Sequence, residues 1–208
     1  MPSRFLDLVV TPAVAREQQR AYGLAYAPGV DTTPEPLGPD EAEFIAARDS
    51  FYLASVTETG WPYVQHRGGP PGFLHVLDAH TLAFADVRGN RQLVTAGNVS
   101  ADPRVALMLM DYPGRRRIKI LGRATFSDAS ADPALAKALA PAGSRARVER
   151  IVRIAVEAWD WNCPQHITPR YTIEEVEALA APLRARIAEL EQRGRDDPTA
   201  SSRDRAPY

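Results

Sequence analysis

Residues 116–127 read RRIKILGRATFS, and this stretch decides the fold class. Small or apolar side chains occupy every second position, namely Ile118, Ile120, Gly122, Ala124 and Phe126. The positions between them are Arg117, Lys119, Leu121, Arg123 and Thr125. A period of two is typical of a β-strand that buries one face, so we expect a long strand whose other face is basic.

Short apolar segments on both sides of this strand predict an antiparallel sheet. Further strands are predicted at 51–56, 61–67, 73–77, 81–85 and 105–110. Residues 147–159 fit a helix by the spacing of their apolar side chains and a strand by their many β-branched side chains. Six or seven short strands arranged as a meander favour a barrel, because barrel closure removes exposed strand edges.

Helical patterns surround and interrupt the predicted barrel. They cover 11–26, 41–49, 89–99, 133–140 and 173–193. The last helix follows Thr172, which forms a capping-box pattern with Glu175. We therefore divide the chain into an N-terminal helix and arm (1–39), a barrel domain (40–170), a C-terminal helix (171–194) and a disordered polar tail (195–208).

The composition of the 208 residues is that of a globular protein and argues against several functional classes. A formal net charge of −1 gives no general attraction for nucleic acid or an anionic membrane. The apolar runs are too short to span a bilayer, and the N-terminus lacks a signal-peptide pattern. One cysteine and four scattered histidines give neither an internal disulfide nor the spacing of metal ligands. We expect a cytoplasmic protein with no metal, no nucleic-acid partner and no membrane contact.

Two predicted strands end at or just before polar side chains. One ends in Gln65, His66 and Arg67 and runs into two glycines, which would let a ligand approach the backbone closely. The other, at 81–85, ends in Ala85 and is followed by Asp86 and the predicted helix 89–99. The first pattern fits either a ligand site or a solvated strand end.

The start of the predicted helix 89–99 is rich in Arg88, Arg91 and Gln92. Cations are unfavourable at a helix N-terminus unless an anion joins them, so this segment indicates a phosphate site. Ordinary capping by Asn90 with exposed arginines accounts for the same residues. The basic face of 116–127 likewise fits either an anion pocket or a solvent-facing strand.

In their order and spacing, segments 60–67, 84–92 and 115–124 resemble the pyridoxamine 5′-phosphate oxidase-like superfamily of FMN-binding split barrels. The resemblance covers residues 40–165. It implies a mainly β (α+β) fold with flanking helices, built on a Greek-key-like antiparallel split barrel. It also favours a strand at 147–159.

The resemblance further implies that FMN lies between the two barrels of a homodimer. Its phosphate would be held by Arg91 and Gln92, and Arg88 or Arg67 would supply a further positive charge. The remaining contacts implied are those of Gln65, His66, Ala85, Asp86, Gln165 and Arg117. Of these, Arg117 would reach the flavin from the partner subunit.

Residues 159–169 stand where the oxidase has an Arg-Leu-x-Pro ending, which indicates a substrate other than pyridoxamine phosphate. We expect an FMN-dependent oxidoreductase that uses a nicotinamide or similar donor and an unassigned small substrate. His66 is a candidate proton-transfer group, and Cys163 with His166 fits either a thiolate–imidazole pair or the packing role more usual for a single cysteine before proline. The alternatives are a non-catalytic flavin carrier or sensor, an F420- or haem-binding barrel, and a structural dimerisation domain.

Overall fold

The computed structural model describes residues 3–141 and 147–196. The strands in this range are β1 (Ser50–Val56), β2 (Pro62–Gly68), β3 (His75–Asp78), β4 (Thr81–Val87), β5 (Arg104–Asp111), β6 (Arg116–Asp128) and β7 (Val148–Trp161). The α-helices are α1 (Arg4–Val9), α2 (Pro12–Tyr22), α3 (Pro39–Ala46), α4 (Val94–Ala101), α5 (Pro133–Ala138) and α6 (Ile173–Asp196). A short 3₁₀ turn at Ala129–Ala131 precedes α5.

The strands form one antiparallel sheet in the order β2-β1-β5-β6-β7-β4-β3. This confirms the mainly β class with flanking helices and the antiparallel split-barrel fold. The expected simple meander is wrong, because β1 pairs with β5 and β4 pairs with β7. The ambiguous segment at 147–159 is a strand, and it is hydrogen-bonded on both sides.

Alternate side chains of the strands build the core. Those exposed by 1% or less include Phe51, Leu53, Leu82, Phe84, Leu107, Leu109, Ile118, Ile120 and Ile154. Each side chain of this size contributes about 1.5–3 kcal/mol when it leaves water. The inner face is therefore a packed interior, and polar groups on it can lie only near the strand ends.

A β-bulge in β7 changes which of its side chains face this core. Glu157 is the extra residue between the partners of Leu121 and Gly122. The side chains of β7 that pack in or against the core are Val152, Ile154 and Val156 before the bulge and Trp159 and Trp161 after it. The inward positions thus change from even to odd numbers, which is why this segment does not alternate simply. A Cβ on Gly122 would lie 2.6 Å from a backbone oxygen of β7, so only glycine fits there.

The observed helices differ from the expected ones at several points. Helix α1 is not among the helices that the sequence predicts, and α2 ends at Tyr22 because Gly23 adopts a left-handed φ of 73°. The helix expected from residue 89 begins at Val94. The capping box of α6 is present, since the Thr172 N–H donates to the Glu175 carboxylate at 2.7 Å and the Glu175 N–H donates to the Thr172 hydroxyl at 3.1 Å.

The chain divides into two compact units. The described parts of Met1–Asp111 and Arg115–Ile167 form the first, and those of Tyr112–Gly114 and Thr168–Tyr208 form the second. Of the predicted tail 195–208, positions 197–208 lie outside the described residues. Over the parts of the chain that the structure describes, no helix is both long and apolar enough to cross a membrane.

Candidate functional site

A cavity of about 220 Å³ lies between β2, the ends of β4 and β6, the start of β7 and the segment leading into α4. Five of the ten residues predicted for the cofactor site line it. They are Gln65, Arg67, Asp86, Arg91 and Gln92. The cavity therefore brings together the first two of the three motifs that the sequence singles out.

The strand side of the cavity is built around one buried carboxylate. Asp86 is 6% exposed, and it continues the inward series of β4 after Leu82 and Phe84. Arg67 on β2 approaches one of its oxygens at 3.2 Å. Arg150 on β7 approaches the other through Nε at 2.9 Å and Nη2 at 2.5 Å. We call Arg67, Asp86 and Arg150 the charged triad.

Local structure explains how these charges meet. Asp86 and Arg150 are directly opposite in the β4–β7 ladder, so their side chains leave the sheet on the same face. Each guanidinium also stacks over an aromatic ring, Arg67 over Phe84 at 5.7 Å and Arg150 over Phe126 at 5.6 Å. These ring contacts and the shared carboxylate hold both arginines in place.

One donor of the charged triad is not satisfied by the protein. The Arg67 Nε is buried, and it has no hydrogen-bond partner among the described residues. A buried donor without a partner costs about 1–3 kcal/mol, and more when it is charged. The lining side chains also carry one positive charge in excess, because Arg67, Arg91 and Arg150 face Asp86 and Glu149. The cavity is therefore suited to an anion.

The loop side of the cavity lies before helix α4, and not in its first turn as the sequence predicts. Arg91 and Gln92 do not lie in the first turn of a helix, because α4 begins only at Val94. The Gln92 N–H donates to the Asn90 side chain at 3.1 Å, which is a turn that competes with helix formation. Arg91 and Leu93 then adopt left-handed φ values of 62° and 55°. The exposed Arg91 is thus held on a strained loop at the rim of the cavity.

The other five predicted residues do not line this cavity. His66 lies on the opposite face of β2 against Tyr52, with ring centres 5.7 Å apart. Ala85 packs against the small apolar cluster of Ala83, Ala136, Leu139 and Ile151. Arg88 lies 3.8 Å from the Glu149 carboxylate. Arg117 lies on the half-exposed outer face of β6, and Gln165 is exposed in the segment after β7.

Sequence reasoning missed several residues of the lining. The most important is Arg150, whose signal is a charge that continues the inward series of β7 after Val152. Tyr63 precedes Gln65 and Arg67 on the same face of β2, and its hydroxyl donates to the Gln65 side chain. Phe126 closes the inward series of β6. Arg150 and Phe126 are thus the charged and aromatic ends of otherwise apolar alternations.

A family model described as pyridoxamine 5′-phosphate oxidase matches residues 37–163. This range contains all the strands described above and the whole lining of the cavity. The chain belongs to the pyridoxamine 5′-phosphate oxidase family. The resemblance seen in the sequence is therefore confirmed.

Solved structures similar to this family member share little of its sequence. HupZ from Group A Streptococcus is 15% identical, with a TM-score of 0.49, and the match covers 65% of this chain and 99% of that one. An F420 reductase is 18% identical, with a TM-score of 0.43 and coverage of 59% and 98%. An FMN-binding protein from Syntrophomonas wolfei is 10% identical, with a TM-score of 0.44 and coverage of 60% and 85%. No curated protein sequence matches the chain.

Proposed function

We propose that this member of the pyridoxamine 5′-phosphate oxidase family binds FMN and acts as an FMN-dependent oxidoreductase on a small substrate. The observation that carries the proposal is the arginine-lined cavity beside the charged triad, in a chain whose family resemblance implies FMN. A flavin supplies hydride and single-electron transfer, and the protein supplies binding and orientation.

The residues present fit the phosphate of FMN. The Arg67 Nε is a buried donor without a partner among the described residues, and a phosphate oxygen would satisfy it. Arg91 is exposed at the rim and can add a second charge-assisted contact. Tyr63 and Gln65 lie on the same face of β2 as Arg67, so they offer hydrogen bonds to the polyol chain of the same ligand. In this proposal β2 orients the cofactor and the triad fixes its anionic end.

A second copy of the chain would complete the site. The cavity of about 220 Å³ is smaller than the range of about 300–1,000 Å³ that is usual for ligand sites. On the opposite face of the sheet Val56, Val64 and Met108 are 41%, 63% and 38% exposed. Arg117 lies on that same outer face of the sheet. We propose that this face meets its equivalent in a homodimer and that Arg117 reaches the partner's flavin.

Binding of FMN and riboflavin to the full-length protein tests the cofactor, because riboflavin lacks only the phosphate. We expect FMN to bind at least tenfold more tightly than riboflavin, measured by quenching of flavin fluorescence. Arg67→Ala should reduce that preference, whereas Arg20→Ala, on the exposed face of α2, should not change it. Equal affinity of the native protein for the two flavins would exclude the phosphate site.

Two further measurements test the dimer and the activity. Val64→Glu should weaken self-association in sedimentation and weaken FMN binding, because it places a charge in the proposed sheet-face interface. A native monomer that binds FMN fully would contradict the shared site.

Bleaching of the bound flavin by NADH or NADPH would support an oxidoreductase, whereas tight binding without reduction by any donor would favour a carrier or sensor.

A further inference from the structure

Within its own compact unit, helix α6 carries an apolar stripe that the described residues of that unit leave exposed. The exposed fractions are 78% for Ile173, 49% for Val176, 68% for Leu183, 55% for Ile187 and 50% for Leu190. The helix also contains Pro182, and proline costs about 3 kcal/mol in a helix interior. Most of the stability of a helix in a protein comes from packing of its apolar face rather than from intrinsic propensity. Helix α6 therefore needs a partner.

The spacing of the stripe identifies the kind of partner. The positions of the stripe are Ile173, Val176, Ala180, Leu183, Ile187 and Leu190, separated by alternating steps of three and four residues. Such a heptad pattern is typical of the seam between coiled-coil helices. Pro182 lies outside this seam, where its ring does not obstruct a facing helix.

Charge and side-chain size then favour an antiparallel pair of identical helices. If the two helices cross between positions 181 and 182, the small Ala180 faces Leu183 of the partner subunit. The same register places Glu177 opposite Arg184 of the partner subunit, and symmetry repeats this ion pair. Within one copy Glu177 and Arg184 already form an ion pair. In the antiparallel pair each of these side chains would replace its partner in the same helix with the equivalent residue of the second copy. A parallel pair would instead stack Ala180 on its own copy and leave a void at the centre of the seam.

We propose that α6 pairs with α6 of a second copy of this chain as an antiparallel coiled coil. This interface uses the second compact unit, and it is separate from the sheet face proposed to complete the flavin site. It does not depend on cofactor binding. An antiparallel pair of identical helices has a two-fold axis across its midpoint, so it is compatible with a closed dimer.

Disulfide cross-linking of the full-length protein tests both the pairing and its direction. In a Cys163→Ser background, Val176→Cys and Ile187→Cys are made as separate proteins. The antiparallel register brings position 176 next to 187 of the partner, so only the mixture of the two should form a covalent dimer on oxidation. Cross-linking of Ile187→Cys with itself to the same extent would overturn the proposal, as would no cross-link at all. Ala185→Cys, on the outer side of the helix, is the matched control that should not cross-link.

A charge-exchange experiment checks the same register without cysteine. Arg184→Glu places two like charges in its own homodimer, and so does Glu177→Arg. When these two proteins are mixed, opposite charges meet again, so heterodimers should exceed the half expected by chance in native mass spectrometry. Effects within one helix are identical in homodimers and heterodimers. A statistical mixture would therefore overturn the proposed contact.

Discussion

The two walls of the cavity are built in different ways. On the strand wall, Arg67 and Arg150 are three-quarters buried and share the carboxylate of Asp86. On the loop wall, Arg91 is exposed and stands on a backbone that contains two residues in left-handed conformations. The strand wall is thus part of the folded core, whereas the loop wall only borders it. We infer that stability and ligand affinity respond separately to changes in the two walls.

The largest effect on stability is expected for Asp86→Asn. This change removes the carboxylate that both arginines share and leaves two partly buried cations side by side. Loss of one partner from a buried ion pair costs about 3–5 kcal/mol, and we expect the lower part of this range because the arginines keep some contact with water. Urea denaturation at pH 7 measures the loss.

The matched control for this change is Glu149→Gln, one position before Arg150. Glu149 is 39% exposed at its side chain, and its ion pair with Arg88 is long, at 3.8 Å. An exposed pair of this kind contributes at most about 1 kcal/mol. If both variants lose the same free energy of unfolding, the charged triad contributes no more to stability than the exposed ion pair of Glu149, and the proposed difference is wrong.

The next effect concerns affinity and falls on the loop wall. Arg91→Ala should weaken FMN binding by about 1–3 kcal/mol, because it removes one charge-assisted contact to the phosphate. The free energy of unfolding should stay within about 0.5 kcal/mol of the native value, since the side chain is exposed. Titration calorimetry and denaturation on the same samples separate the two quantities. Arg88→Ala, whose side chain does not line the cavity, should change affinity less.

A smaller effect tests the strain of the loop. Leu93 has a φ of 55° and is 51% exposed, so glycine at this position should relieve strain with little loss of packing. We expect Leu93→Gly to raise the free energy of unfolding by less than about 1 kcal/mol, because relief of about 1–2 kcal/mol of left-handed strain exceeds the entropy cost of about 0.5–1 kcal/mol that glycine adds. Gly97, inside α4, provides the contrast, because Gly97→Ala should also stabilise the protein but through helix propensity. Destabilisation by Leu93→Gly would show that its side chain, rather than its backbone, determines the loop.

The smallest effect is a pH dependence at the end of α4. The hydrogen bond from the Arg104 side chain, followed by that from its backbone N–H, lowers the pKa of Asp102 to about 2. A pKa lowered on folding means that the ionised carboxylate stabilises the fold above its ordinary value of 3.8 and that this contribution fades as the pH falls towards 2. NMR titration should show this low value. In Arg104→Ala the pKa of Asp102 should rise, and an unchanged value would exclude the ion pair as its cause.

Sequence reasoning located the strand segments well and the cavity in part. The alternation in β6 predicts both its length and its buried face, because an extended strand is the regular structure that repeats its side chains with a period of two. The charged triad was harder to foresee, since Arg150 lies in a segment whose alternation is interrupted by the bulge at Glu157. The predicted start of α4 at residue 89 is wrong, because the polar turn at Asn90 competes locally with the helix. The cofactor, the dimer and the roles of the site residues stay predictions.

The bulge at Glu157 shifts the inward and outward alternation of the β7 side chains by one position. Deletion of Glu157 would restore one regular alternation along the whole strand. Trp159 and Trp161 would still face the interior after that deletion, because they would continue the inward series of Val156, and their indole N–H groups could still donate to the Pro36 carbonyl and the Glu41 carboxylate. The Glu157 carbonyl, which accepts the Glu35 N–H, would be lost with the residue. One inserted residue therefore ties the N-terminal segment to the barrel.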